Sequence, residues 1–262
     1  MGGKQVALPP KKRENWEMRI SVVIPCLNEE ENIGGLVALL KEQDFPREEF
    51  EIIVVNNASV DDTQRVAEEA GADKVLPEGR KGTNFARQAG LEAASAEIVA
   101  FLDADCRPPK DWLKKIWNIF EEDKEKRLGI LSGPYRYYDV WFITRFFSSV
   151  WQRAMIWFLT AADLIFRRKW AIALGGNMAV RKSIIQSMGG FDVKFTSFGD
   201  DADTALRIKR AGYRTRFDRA IILDSSARRF KKRGLVRTAA IYTLAYTRLY
   251  FGRSKPLKRF TF

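Results

Sequence analysis

Short apolar runs that break abruptly into polar residues recur through the first hundred positions. Residues 20–24 close on Pro25 and lead into Cys26, Leu27, Asn28 and Glu29; residues 50–55 end in Asn56 and Asn57. Residues 74–76 run towards Gly79, Arg80, Lys81 and Gly82, and residues 98–102 end in Asp103, Ala104 and Asp105. Runs of this length, apolar but for Ser21, Glu51 and Lys74, predict strands buried on both faces, as parallel sheets require. Between them apolar residues recur at helical spacing, as at Ile33, Leu36, Val37 and Leu40, with Asn28 and Glu31 spaced as a capping pair. Further helices are expected over 61–69 and 84–94. Strand alternating with helix in this way predicts an α/β fold with a doubly wound, mostly parallel sheet, its strand ends facing one crevice.

The second half is less regular. Its periodicity predicts helices over 111–126, 179–188 and 200–211, and strands over 129–132, 213–217 and 221–223. Residues 139–170 carry Trp141, Trp151, Trp157 and Trp170 with a narrow polar stripe of Arg145, Ser149, Gln152, Arg153, Thr160 and Asp163, which predicts an aromatic amphipathic insert. Leu235, Ala239, Tyr242, Tyr246 and Leu249 mark one face of a C-terminal amphipathic helix flanked by arginines. The organisation expected is a flexible basic lead over 1–19, one α/β domain over 20–230 containing the insert, and a basic amphipathic tail over 231–262.

A chain of 262 residues can bury one sizeable core without disulfide or metal staples. Lys and Arg number 45 against 33 Asp and Glu, a net charge of +12, and from Ser226 onward there are eleven basic residues and no acidic one. A basic tail suits nucleic acid, an anionic bilayer or an acidic substrate alike. Cys26 and Cys106 lack metal-ligand spacing and are expected as reduced thiols of a cytosolic protein. No signal peptide is expected in residues 1–19, and no apolar run approaches the roughly 20 residues that cross a bilayer. The tryptophan-rich insert and the arginine-flanked tail instead suit helices lying on an anionic membrane surface, with the protein peripheral on the inner face of the cell membrane.

Asp103 and Asp105 bring two carboxylates to the end of a buried strand, where open α/β sheets bind their ligands. With no histidine in the chain, that pair suits a hard cation, Mg²⁺ or Mn²⁺, held by oxygen ligands, and such a cation usually accompanies a phosphate. By residue type alone the same tripeptide is equally a strand-ending turn. Asp200, Asp201 and Asp203 are equally a set of acids favoured in the first turn of a helix.

The order and spacing of ISVVIPCLNEEENI, IIVVNNASVDDT, GTNFARQAG, EIVAFLDADCRPP, GGNMAVRKSIIQSMGGFD and FGDDADTALRIKRAGYRT resemble a family 2 glycosyltransferase of the nucleotide-sugar-dependent GT-A fold. The resemblance runs from about Ile20 to Thr215. It implies that Pro25, Asn28 and Glu29 border the base and ribose of a nucleoside diphosphate sugar, with UDP the expected nucleotide. Asn56 and Asn57 stand where the family usually has two aspartates; an amide oxygen still accepts from a uracil N3–H. Lys81, Asn84 and Arg87 match the segment that closes over the nucleotide. Asp105 matches the residue that ligates Mn²⁺ or Mg²⁺, with Asp103 reaching the ribose or the metal. The family often adds a later histidine to the metal shell, whose place Asp224, Ser225 or water takes here.

Gly176 and Asn177, after Gly175, match the donor-sugar segment, and Arg228 and Arg229 are placed to hold the diphosphate. Asp201 matches the general base, which implies one displacement with inversion onto a hydroxyl acceptor, lipid-linked or glycan. A nucleotidyltransferase of related fold is the first alternative, but the loop after the first strand is acidic and lacks glycine. A nucleic-acid-binding protein is the second. It leaves the carboxylates at the strand ends unexplained, because they repel phosphate, so no nucleic-acid partner is expected.

Overall fold

The computed structural model describes residues 18–166, 171–194 and 199–228, together with positions 231, 234, 237, 238, 240, 243 and 244. The first half forms as its pattern dictates. Strands β1 (Ile20–Cys26), β2 (Phe50–Asn56), β3 (Lys74–Pro77) and β4 (Ile98–Leu102) run parallel in the order β3-β2-β1-β4. Helices α1 (Glu30–Lys41), α2 (Thr63–Glu69) and α3 (Thr83–Ala93) make the crossovers. All four strand ends therefore point the same way, and the loops after β1, β2 and β4 meet above one sheet edge.

Beyond β4 come β5 (Cys106–Arg107), α4 (Trp112–Glu122), β6 (Leu128–Ser132), β7 (Tyr135–Tyr137) and α5 (Phe142–Phe166). These are followed by β8 (Asn177–Arg181), α6 (Lys182–Ser187), α7 (Asp200–Arg210), β9 (Arg214–Phe217) and β10 (Leu223–Ser225). The main sheet has seven strands, β3-β2-β1-β4-β8-β6-β9, with β8 antiparallel to both neighbours. One face is covered by α1, α2 and α4 through Ile33, Leu36, Ala67, Trp112 and Ile116; the other is covered by α3, α6 and α7 through Ala86, Leu91, Ile185 and Ala205. A small sheet, β5-β10-β7, lies beside the end of β4.

Three expectations need correction. Residues 179–181, expected as helix, continue β8, because Met178, Ala179 and Val180 are fully buried between β4 and β6; so short an apolar run carries no period that separates strand from helix. The strand expected over 221–223 begins two residues later: Ile221 ends a 3-10 turn, Arg219–Ile221, and Leu223 starts β10. Asn28 does not cap α1 with Glu31: the helix begins after Glu29, and the free N–H groups of Glu29 and Glu30 donate to Thr63 Oγ1 (2.8 Å) and Asp61 Oδ2 (3.2 Å). Those bonds join the loop after β1 to the loop after β2.

Helix α5 turns two polar side chains towards the protein. Arg145 donates to the Tyr138 carbonyl (3.1 Å) and Gln152 bonds both the N–H and the C=O of Tyr135 (3.3 and 3.4 Å), whereas Arg153 is exposed. Several of its aromatic side chains face outward: Phe142 and Trp157 are each 73% exposed, Phe146 and Phe147 more than half, and Trp141, just before the helix, 83%. Among the described residues no helix is long and apolar enough to cross a membrane. The expected tail helix and Trp170 lie outside the described residues, apart from a few tail positions.

Candidate active site

The loops after β1 and β2 lock together through short polar side chains. Asn28 takes the left-handed conformation (φ 56°) that asparagine tolerates better than most residues; its N–H donates to Ser59 Oγ (3.0 Å) and its Oδ1 accepts from Val60 N–H (2.9 Å). Asn56 Oδ1 accepts from Ser59 N–H (3.1 Å). Asn57 is buried, with Nδ2 donating to the carbonyls of Glu78 and Arg80 (3.2 and 2.7 Å) and Oδ1 accepting from Gly82 N–H (2.8 Å). It thereby fixes the loop carrying the exposed Lys81. Pro25, half-buried, sits near the end of β1.

The DAD tripeptide leaves β4 beside this junction. Asp105 is held by Arg228, whose Nε lies 3.0 Å from Asp105 Oδ2, while the terminal nitrogens of the same guanidinium pair with the buried Glu29 carboxylate. One arginine thus ties the loop after β1 to the loop after β4 from the far side of β10. Both cysteines are buried and free. The Cys26 thiol is pushed up by burial and then by Glu29 and Asp103; the Cys106 thiol is pushed up by burial and then by Asp103 and Asp105. Two inert thiols therefore report the same concentration of negative charge.

The acidic start of α7 closes the site through two glycines. A Cβ on Gly176 would overlap the Asp103 carboxyl group, and one on Gly175 would overlap the Arg87 guanidinium, so only glycine permits this approach. Gly175 N–H donates to Asp201 Oδ2 (3.0 Å), and Ala202 N–H donates to Asp201 Oδ1 (2.8 Å). Asp103 and Asp201 are therefore reached from adjacent residues of one turn.

Arg87, almost fully buried, pairs with Asp200 and receives support from Asn84 Oδ1 (3.4 Å), while Asn84 Nδ2 donates to the Asp192 carbonyl (2.8 Å). Asp201 keeps part of its surface open to solvent. Burial of the carboxyl and the neighbouring Asp200 charge push it up to about 7, against the pull of Arg87.

The loops carrying Asn28, Glu29, Asn56, Asp103, Asp105, Gly176, Asp201 and Arg228 are thus linked, with four qualifications for other residues singled out in the sequence. Arg87 turns to the carboxylates at the head of α7. Asn177 faces the core: its Oδ1 accepts from Trp112 Nε1 (3.2 Å), and its Nδ2 donates to the carbonyls of Pro134 and Ile221 (3.3 and 2.8 Å). Asp224 is engaged by Arg136 (Nη2 to Oδ2 2.8 Å) on the small sheet. Arg229 lies outside the described residues. Sequence reasoning missed Asp139, which accepts from Ala227 N–H and Ser226 Oγ (each 2.7 Å) and from Lys231 Nζ (3.0 Å), anchoring the segment that carries Arg228. No periodicity or motif marks it.

The mostly parallel sheet, with carboxylates at its C-terminal edge and glycines opening the space between them, has the architecture of GT-A type glycosyltransferases. The glycosyl transferase family 2 profile matches residues 21–189, and the chain belongs to that family. It is 27% identical over 216 residues to glycosyltransferase AglE of Haloferax volcanii, covering 80% of this chain and 68% of the relative. It is 28% identical over 228 residues to the probable glycosyltransferase YdaM of Bacillus subtilis, covering 81% of this chain but only 52% of that protein.

Among solved structures it is similar to the mannosyltransferase PcManGT from Pyrobaculum calidifontis in complex with GDP-Man and Mn²⁺, with a TM-score of 0.62 and 25% identity over 87% of this chain and 68% of that one. The fold is also that of Staphylococcus aureus TarS 1–349 in complex with UDP-GlcNAc, with a TM-score of 0.58 and 19% identity over 77% of this chain and 56% of that one. The family assignment sets aside the nucleotidyltransferase alternative.

Proposed function

We propose that the chain transfers a sugar from a nucleoside diphosphate sugar to a hydroxyl acceptor by a single, metal-dependent displacement with inversion. The observation that carries this reading is the Gly175–Gly176 turn, which abuts the Asp103 carboxyl on one residue and bonds Asp201 from the next. Donor and acceptor groups thereby share one site. Asn28, Glu29 and Asn56 line the junction of the first two loops, where the base and ribose bind, with Lys81 above and Gly176 beside the donor sugar.

The donor set fits a divalent cation. Asp103 and Asp105 supply hard oxygens two residues apart, and among the described residues no cluster of three acidic, thiol or imidazole groups forms a ready-made cage. Mg²⁺ and Mn²⁺ commonly use one or two carboxylates and complete their shells with substrate phosphate and water. Asp103 and Asp105 would hold the ion, which supplies positive charge against the departing diphosphate. Arg228 adds a guanidinium at the same mouth.

Asp201 takes the acceptor hydroxyl proton. Two backbone N–H groups fix its carboxylate, and a pKa near 7 makes it a stronger base than an ordinary aspartate while leaving much of it ionised at neutral pH. Arg87 holds Asp200 in place beside it. The outward aromatic face of α5 supports a membrane-surface location, and with it a lipid-linked acceptor.

A panel of labelled UDP-, GDP- and CDP-sugars, assayed for Mn²⁺-dependent hydrolysis and transfer, tests the function. Turnover of one of them only with the metal is expected. Metal-independent turnover, or none across the panel, contradicts the proposal.

A further inference from the structure

Arg228 occupies the acidic mouth of the site. Its Nη1 lies 3.0 Å from Glu29 Oε2, its Nη2 pairs with Glu29 Oε1, and its Nε lies 3.0 Å from Asp105 Oδ2. These residues come from the loops after β1 and β4 and the segment after β10, so local sequence does not impose the bridge. It conflicts with the proposed chemistry, because the carboxylate meant for a divalent cation already carries a guanidinium. A second cation placed on Asp105 meets direct repulsion from the first.

We infer that Arg228 is the resting counter-ion of the metal pocket: it neutralises Glu29 and Asp105 until a divalent cation takes Asp105, and it then turns to the donor diphosphate. This rests on the donor reading above and adds an order of events to it. The arginine is the partner able to move, since its side chain is 48% exposed against 7% for Glu29 and 10% for Asp105. Its backbone is pinned: Ser226 N–H donates to the Asp105 carbonyl (3.3 Å), and Asp139 holds Ser226, Ala227 and Lys231. The guanidinium therefore swings without moving the chain. Its planar fork pairs equally well with a carboxylate and with phosphate oxygens, so the exchange conserves paired charge. Diphosphate draws Arg228 away from Asp105 and frees that carboxylate for the metal, and the metal releases Arg228 for the diphosphate. By linkage each ligand strengthens the other.

The test titrates the full chain with Mn²⁺, reading free Mn²⁺ by electron paramagnetic resonance, with and without UDP and with GDP in parallel. Arg228→Gln is expected to bind Mn²⁺ alone about tenfold more tightly than the parent and to bind nucleoside diphosphate at saturating Mn²⁺ about tenfold more weakly. Arg228→Lys keeps the charge but cannot bridge both carboxylates, and it too is expected to tighten Mn²⁺ binding. Glu29→Gln leaves Arg228 to Asp105 alone and is expected to weaken Mn²⁺ binding; thermal melts confirm that each variant is folded. Unchanged Mn²⁺ affinity in Arg228→Gln overturns the inference, as does a lysine variant indistinguishable from the parent, which reduces the effect to net charge. If the parent takes no Mn²⁺ even with UDP or GDP, the donor reading itself fails and the exchange with it.

Discussion

As the proposed base, Asp201 meets two opposed demands. A base must lose its proton near neutral pH, yet burial and the Asp200 charge both favour the protonated form, and the balance lies near 7. Activity is therefore expected to rise between about pH 6 and pH 8 as Asp201 ionises. Asp200→Asn removes the repelling charge and lets Arg87 act on Asp201, so the acid limb of the pH–rate profile moves to lower pH; a shift to higher pH contradicts the assignment. The same raised pKa has a consequence for folding. It lies above the value of about 3.9 for an unfolded aspartate, so its contribution to stability is complete below that pH and is lost as the pH rises through 7. Asp201→Asn is expected to bind donor and to transfer sugar about a thousandfold more slowly, read by separate binding and turnover assays. Near-normal turnover clears Asp201 of the role. The carboxylates were legible as residue types at strand and helix ends. Their partners were not, since Arg87 meets Asp200 across 113 positions and Arg228 meets Glu29 across 199.

At the scale of elements, sequence patterns succeeded where burial imposes a period and failed where elements are short. Strands β1, β2 and β4 read clearly because each is buried on both faces and ends in polar residues. β5 and β10 have two and three residues, too few for any alternation to show, and so the small sheet that positions Arg228 was invisible. β8 was mistaken in part for helix, although its first residue explains why it holds its place. Asn177 joins α4, the turn after β6 and the turn before β10 through three hydrogen bonds, two of them buried. Asn177→Ala leaves Trp112 Nε1 and two carbonyls unsatisfied and is expected to cost about 2–4 kcal/mol in urea unfolding. A loss below about 0.5 kcal/mol shows that water or repacking replaces those bonds.

At the scale of the molecule, the proposed chemistry lies at the sheet edge and the proposed membrane contact on the exposed aromatic side chains of α5. The orientation of α5 is only half legible in the sequence. Its aromatic stripe was plain in the sequence, but which side faced the protein depended on Tyr135 and Tyr138, whose backbone groups bind Gln152 and Arg145. Phe146→Ser combined with Trp157→Ser is expected to lower binding to phosphatidylglycerol vesicles about tenfold while leaving nucleotide binding intact. Equal sedimentation of parent and variant with the vesicles argues that the face meets protein instead. If carboxylates gathered at one strand end hold a divalent ion for the donor diphosphate, nucleotide binding needs the metal, and calorimetric titration of UDP and GDP with and without Mn²⁺ measures that need without turnover. Mn²⁺-dependent binding of one nucleotide by the parent and none by Asp105→Ala is expected; equal, metal-dependent binding by both proteins removes Asp105 from the metal site.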